Sequence, residues 1–411
     1  MSRRVVVTGM AGLCPLGQDW ATVRDRLHEG RSGIVVVPAW SVYNGLDTRL
    51  AAPVAGFCVP DHYPRKKVRS MGRVALLATR ATELALEDAG LLNSPVLTDG
   101  TTGVAYGSTS GSPPAMENYA RNFLANTIKG IAATDYIQFM SHTCAANLAV
   151  FFGITGRLVP TCSACTSGSQ GIGYGYEAIR LGRQRVMVTG GAEELHPIDA
   201  AVFDIMFATS TRNDEPTRTP RPFDRHRDGL VVGEGAATLI LEDLEHARAR
   251  GARINAEVVG FATNCDGRHI TNPDAHGMQR VMELALEDAQ LSAGQMDYVN
   301  AHGTATKLGD IAESVATHRV FGTDVPVSSL KSFMGHTLGA CGALEAWMTI
   351  RMMRESWVAP TLNLDEVDPE CAPLDHVRGG PRELAVTYAM SNKFAFGGVN
   401  TSLIFRRWSD E

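Results

Sequence analysis

The most reactive group that can be read in this chain is a cysteine beside small residues. Cys165 stands in Thr161-Cys162-Ser163-Ala164-Cys165-Thr166-Ser167-Gly168. The segment reads as a strand running directly into a helix, which places Cys165 at or near the first helical turn. Unpaired N–H groups and the helix dipole lower a thiol pKa there and can bind a developing oxyanion. The small neighbours leave room for a thioester to reach the sulfur. Two other readings compete with a nucleophile. Free cysteine is readily buried as a small apolar residue in a packing seam, and Cys162-x-x-Cys165 has the spacing of a redox pair. With Cys162 on the strand, the two thiols would not share one exposed turn, which weakens the redox reading.

Two further loops place a histidine where a strand ends. Asn300-Ala301-His302-Gly303-Thr304-Ala305-Thr306, followed by Gly309-Asp310, sets His302 to orient a carbonyl or carboxylate, with Thr304 and Thr306 able to bond a polar substrate arm. A lone histidine is more often structural than functional. Lys331-Ser332-Phe333-Met334-Gly335-His336-Thr337-Leu338-Gly339-Ala340 repeats the pattern. Here Lys331 can hold a charge network with Glu345 on the following helix; the blander reading is a surface lysine and a capping histidine. A cysteine with a histidine generates a thiolate for acyl transfer. Two histidines also suit hydrogen bonding to an enolate and to its carboxylate precursor. The same three side chains can bind zinc, although no close Cys/His ligand spacing supports a metal.

These loops must be positioned by an alternation of strands and helices. Strands are expected at 4–9, 102–106, 158–163 and 186–189, with helices at 74–88 and 166–181. A second series has strands at 256–261, 298–301, 325–330, 386–390 and 402–405, with helices at 277–289 and 340–354. Two βα series of similar length suggest a duplication, divided as 1–252 with the cysteine and 253–411 with both histidines. Such alternation predicts an α/β body of sheets covered by helices, with chemistry at the strand-to-helix loops.

Composition bounds the function. The chain has 411 residues, 44% hydrophobic and 20% charged, enough apolar material for a sizeable core. A net charge of −6 gives no electrostatic reason to expect nucleic-acid binding. The start Met1-Ser2-Arg3-Arg4-Val5-Val6-Val7 superficially resembles a signal peptide, but Thr8, Gly9 and Gly12 break the apolar run, and a strand explains it better. No stretch is long enough to cross a bilayer. The eight cysteines are scattered, so free thiols and a cytoplasmic setting are expected.

The segments at 163–168, 300–306 and 331–340, together with Asn392-Lys393-Phe394-Ala395-Phe396-Gly397-Gly398-Val399-Asn400, resemble in order and spacing the condensing enzymes of the thiolase fold. The nearest group is the bacterial β-ketoacyl-acyl carrier protein synthases I and II, and the likeness runs from Val5 to Phe405. It implies a five-layer αβαβα sandwich of two duplicated halves, usually a homodimer, with a Cys165, His302 and His336 site. It further implies that an acyl group passes from acyl carrier protein to the cysteine and is extended by two carbons from malonyl-acyl carrier protein in fatty-acid biosynthesis. The N–H groups of Cys165 and Phe396 would form the oxyanion hole, and Phe396 would gate the acyl pocket. Thr304 and Thr306 would contact phosphopantetheine, with Phe394 beside them at the substrate, and Lys331 and Glu345 would be a supporting pair. No cofactor or metal is implied, since the substrates carry their own phosphopantetheine.

Departures from the pattern bear on the substrate. Ser110, in Gly107-Ser108-Thr109-Ser110-Gly111-Ser112, stands where a bulky aliphatic residue is usual, and Lys393 and Ala395 replace smaller residues or glycine. With 161–173 and Trp347, these features resemble the ketosynthases of aryl polyene clusters. That related reading includes type II polyketide pathways and a heterodimer with a ketosynthase-like subunit. A non-catalytic chain-length-factor subunit lacks the nucleophile, which this chain keeps. An acidic carrier protein needs a basic dock. Arg65, Lys66, Lys67, Arg69 and Arg73 are the densest positive run, alternatively a solvated helix face.

Overall fold

Apolar runs in each half build a sheet of the same plan. In the first, strands Val5–Leu13, Thr102–Gly107, Leu158–Thr161, Val186–Glu193 and Gly235–Asp243 lie side by side in the order first, fifth, fourth, second, third. In the second, Ala256–Cys265, Tyr298–Asn300, Pro326–Ser328, Tyr388–Ala395 and Val399–Arg407 take the same order. The directions match as well: two antiparallel pairings followed by two parallel ones in each half. Val5–Val7 pair with Ala256, Glu257 and Val258, which joins the sheets at one edge of each. The computed structural model describes residues 2–409. Met1 of the opening segment, and Asp410 and Glu411 at the end of the second half, lie outside them.

The layers follow from burial. Strands Val186–Glu193 and Gly235–Asp243 are buried at every position, as strands covered on both faces must be. Helices Ser167–Arg180 and Cys341–Glu355 are buried on nearly all sides, touch strands of both sheets, and form the middle layer. Helices Arg73–Asp88 and Ala275–Ala289 are amphipathic and each covers the outer face of its own sheet. The result is the expected helix–sheet–helix–sheet–helix sandwich. Among the described residues no helix is long and apolar enough to cross a membrane.

Several boundaries differ from the sequence expectation. The strand expected at 386–390 is Tyr388–Ala395, because Ser391, Asn392 and Lys393 continue it as buried polar residues that break an apolar reading. The opening strand runs on past Gly9 to Leu13. Residues 113–152 form three helices, Pro113–Leu124, Ala133–Phe139 and Thr143–Phe152, which the expected alternation does not contain.

Candidate active site

The strand Leu158–Thr161 ends four residues before Cys165, which lies in a one-turn 3-10 segment, Ala164–Thr166, opening onto helix Ser167–Arg180. Ala164 has φ 50°, a left-handed conformation that costs a non-glycine residue energy and sharpens the turn under the thiol. The starts of the two central helices touch. A Cβ on Gly168 would fall 2.9 Å from the Gly339 oxygen, and one on Gly342 would fall 2.5 Å from the Ser169 nitrogen, so glycine is required for this approach. That contact brings the His336 loop of one half onto Cys165 of the other. Cys341 Sγ adds a hydrogen bond to the Cys165 carbonyl at 3.3 Å. Cys162 lies just beyond the strand rather than on it, is exposed, and donates to the Thr109 carbonyl at 2.8 Å.

His336 Nε2 is 3.0 Å from Cys165 Sγ. Its other nitrogen, Nδ1, faces the Leu338 N–H at 3.2 Å. A backbone N–H can only donate, so Nδ1 is the acceptor and the proton of the neutral ring sits on Nε2, facing sulfur. His336 is therefore a hydrogen-bond donor to the sulfur. Its loop is held by the His336 N–H to the Val231 carbonyl at 2.7 Å and turned by Gly335, whose φ is 68°. The His302 ring lies edge-on to His336, with centroids 5.2 Å apart.

One atom from each of Cys165, His302 and His336 lies within 4.8 Å of the others. Two ligands around a tetrahedral zinc would stand about 3.5 Å apart given ordinary Zn–S and Zn–N bonds. The 3.0 Å contact and the proton on Nε2 fit a hydrogen bond better than a shared metal.

Two carboxylates that carry no sequence expectation hold the His302 loop. Glu313 accepts the N–H groups of His302 and Gly303 at 2.7 and 2.6 Å. Asp310 accepts those of Thr304 and Ala305 at 3.0 and 3.2 Å and that of Phe223 at 2.7 Å. Both are on helix Lys307–Phe321, three residues apart on one face, directly after the threonine-rich loop; that spacing is the signal the sequence offers. Lys331 is buried and bonds Glu345 Oε1 at 2.5 Å, so the charged pair is present and the surface-lysine reading is wrong.

These groups open onto a cavity of about 610 Å³. Cys165, His302, His336, Thr304, Thr306, Phe394 and Phe396 all line it, joined by Phe203, Phe207, Arg227 and His269, which the sequence does not single out. The Thr304 and Thr306 hydroxyls meet at 2.8 Å. Phe396 leans on Phe203, centroids 5.3 Å apart, and Phe394 stands edge-on to His302. Ser110 lies outside the wall, in the turn after strand Thr102–Gly107. Trp347 is a core residue packed against Gly12, away from the cavity. Arg65, Lys66, Lys67 and Arg69 are exposed on or beside the short helix Arg65–Val68, although Lys67 also bonds the Phe151 carbonyl at 2.6 Å. Arg73 is committed to Glu234, at 2.8 and 2.7 Å, and is not free to dock anything.

Burial governs the protonation states. It pushes the Cys165 thiol up rather than down, outweighing the Lys331 charge, against the expectation from its place before a helix. Burial, and then the charges of Lys331 and Lys393, hold both His302 and His336 well below the usual imidazole value. The resting site is a thiol with two neutral imidazoles. Such a site offers a buried thiol and two uncharged N–H donors among buried groups, where each hydrogen bond counts for more.

A thiol and two neutral donors, brought together from the two halves of a duplicated sandwich, define an acyl-transfer enzyme of the condensing class. The beta-ketoacyl synthase N-terminal domain matches residues 2–247 and the C-terminal domain residues 255–365. This chain belongs to the β-ketoacyl synthase family. It is 38% identical over 415 residues to 3-oxoacyl-[acyl-carrier-protein] synthase 2 of Vibrio harveyi, covering 98% of this chain and 99% of that one. The solved beta-ketoacyl synthase of Burkholderia phymatum STM815 is 57% identical, with a TM-score of 0.98 over 99% of this chain and 100% of that one. A type II PKS ketosynthase solved in complex with its acyl-carrier protein is 29% identical, with a TM-score of 0.89 over the whole of both chains (100% each).

Proposed function

We propose that this chain is a 3-oxoacyl-acyl carrier protein synthase of fatty-acid biosynthesis. The observation that carries the reading is the Cys165 Sγ to His336 Nε2 contact at 3.0 Å, with His302 beside it in one cavity. Cys165 Sγ attacks the carbonyl of an acyl thioester. The acyl–sulfur bond to the carrier breaks, and the thiol proton leaves with the carrier's thiol. The N–H groups of Cys165 and Phe396 receive the oxyanion of each tetrahedral intermediate, and Phe396 gates the chamber. Malonyl-acyl carrier protein then enters, its phosphopantetheine arm along Thr304 and Thr306 and past Phe394. Loss of carbon dioxide leaves an enolate whose oxygen accepts from His302 and His336. The enolate carbon bonds the acyl carbonyl, the C–S bond to Cys165 breaks, and a proton restores the thiol. Lys331 and Glu345 hold the histidine loops. The residues need no cofactor or metal for these steps. The half 1–252 brings the nucleophile and the half 253–411 both histidines.

The test is a competition in one tube. The protein is given malonyl-acyl carrier protein with saturated acyl carriers and a conjugated aryl-enoyl carrier, and products are read by intact mass. Extension of the saturated chains is expected. Preference for the conjugated starter would move the protein to an aryl polyene or polyketide pathway. No extension and no acylated protein would sink the enzyme reading in favour of a partner subunit.

Within the same reading the protein works in the cytoplasm as a homodimer. Strand Leu158–Thr161 is a sheet edge with Leu158 exposed, and Phe123, Leu124 and Ile128 present further uncovered apolar surface. The carrier protein docks on Arg65, Lys66, Lys67 and Arg69. Charge reversal at Lys66 and Arg69 is expected to raise KM for acyl carrier substrates several-fold with kcat kept, the mark of a lost encounter charge. An unchanged KM would place the dock elsewhere.

A further inference from the structure

Lys393 departs from the usual pattern, and the structure buries it completely. Its ammonium lies 2.7 Å from Glu345 Oε2 and bonds the Asn392 carbonyl at 2.7 Å, Asn300 Oδ1 at 3.1 Å and Ser391 Oγ at 3.1 Å. Burial works against the charge on this amine and the Glu345 carboxylate works for it. The contacts decide between them: four oxygens around one nitrogen suit an ammonium, which only donates, whereas a neutral amine would turn its lone pair toward one of them. Glu345 thus stands between two lysines, Lys331 on Oε1 and Lys393 on Oε2. The contacts reach three of the segments that shape the chamber. Asn300 ends the strand that leads to His302, Lys331 opens the segment that leads to His336, and Lys393 itself precedes Phe394 and the Phe396 loop.

We propose that Lys393 is a positioning residue of the condensation step: a second buried cation that, with Lys331, clamps Glu345 and ties the His302 strand, the His336 loop and the Phe394–Phe396 segment into one frame. The inference rests on the condensing activity proposed above. Lys331 and Glu345 already form one opposite-charge pair, and Lys393 adds a second buried cation behind both imidazoles. That charge and Lys331 both work against imidazole protonation, in addition to burial. The other ionisable groups facing this cluster are Cys341 on the same helix as Glu345, Tyr298 on the strand that leads to His302, the Cys165 thiol, and Glu313, which faces Lys331 from helix Lys307–Phe321. With the charge removed, the histidines protonate more readily and stop being neutral donors at a higher pH.

The test uses Lys393→Met in the full chain, which leaves Lys331 and Glu345 paired. Three quantities are measured: acylation of Cys165 by intact mass, condensation rate against pH, and the His302 and His336 titrations by NMR. Acylation is expected to stay near wild type. The acid limb of condensation should move up by about one pH unit, so that the rate at a fixed pH on that limb falls about tenfold, and both imidazole titrations should move up with it. If the Met variant does not fold, Lys393→Gln is read the same way. A folded variant with unmoved titrations overturns the proposal, whether its rate is unchanged or uniformly lower; the latter marks a merely structural lysine. A wild type that fails to condense would sink the activity, while the imidazole titrations still decide the lysine.

Discussion

Cys165→Ala is expected to abolish acylation of the protein and to lower condensation by at least about 10³-fold, since removing a nucleophile that acts as a unit with its partners leaves little beyond binding. His336 Nε2 bonds Sγ, and the cavity leads to it. The substitution removes a sulfur and nothing else, and the Cys341 bond is to the Cys165 carbonyl, which alanine keeps. The fold should therefore survive, as circular dichroism can check. Cys162→Ala is the matched control. Its thiol is turned to the Thr109 carbonyl, so that variant should still carry the acyl mass. An acyl adduct on Cys165→Ala, or its loss only in Cys162→Ala, would contradict the assignment of the nucleophile.

Removing either imidazole is expected to cost about 10²–10³-fold in condensation, the usual loss for one preorganised donor to a developing oxyanion. The two variants should differ earlier in the cycle. His336 touches the sulfur, so His336→Ala should also slow acylation. His302 is held through its backbone by Glu313, and His302→Ala should leave acylation near normal while malonyl decarboxylation fails. The pH dependence follows from the depressed imidazole values. The donors are neutral above their pKa, so wild-type condensation is retained on the neutral side and lost as pH falls through it. A His302→Ala enzyme that condenses at the wild-type rate would remove that ring from the chemistry.

Much of the site is legible in the residues alone. Cys165, His302 and His336 are polar residues in loops after strands, among small residues, although His336 is set off from its strand by the short helix Lys331–Met334. Glu345 pairs with Lys331 as expected, because the helix that follows the Lys331 loop reaches back to it. Lys393 stands out in the sequence as a departure, but nothing local reveals its burial, because a lysine in isolation reads as solvent-facing. Glu313 is missed in the sequence and Asp310 is quoted there without a role, because their work is on backbone N–H groups and only their spacing on one helix face signals it. Ser110 lies outside the cavity wall and Trp347 in the core, so the packing gives neither a contact with the cavity.

Short-range pattern suggests the α/β alternation and the duplication and singles out the three side chains as candidates, because periodicity and strand-end chemistry extend over only a few residues. That these side chains meet is a tertiary result, since the contact depends on glycines of two distant segments, Gly168 and Gly339, touching across the halves. Their protonation is tertiary too. A position before a helix favours a thiolate, but burial penalises the charged form more strongly, and burial is a property of the whole packed chain.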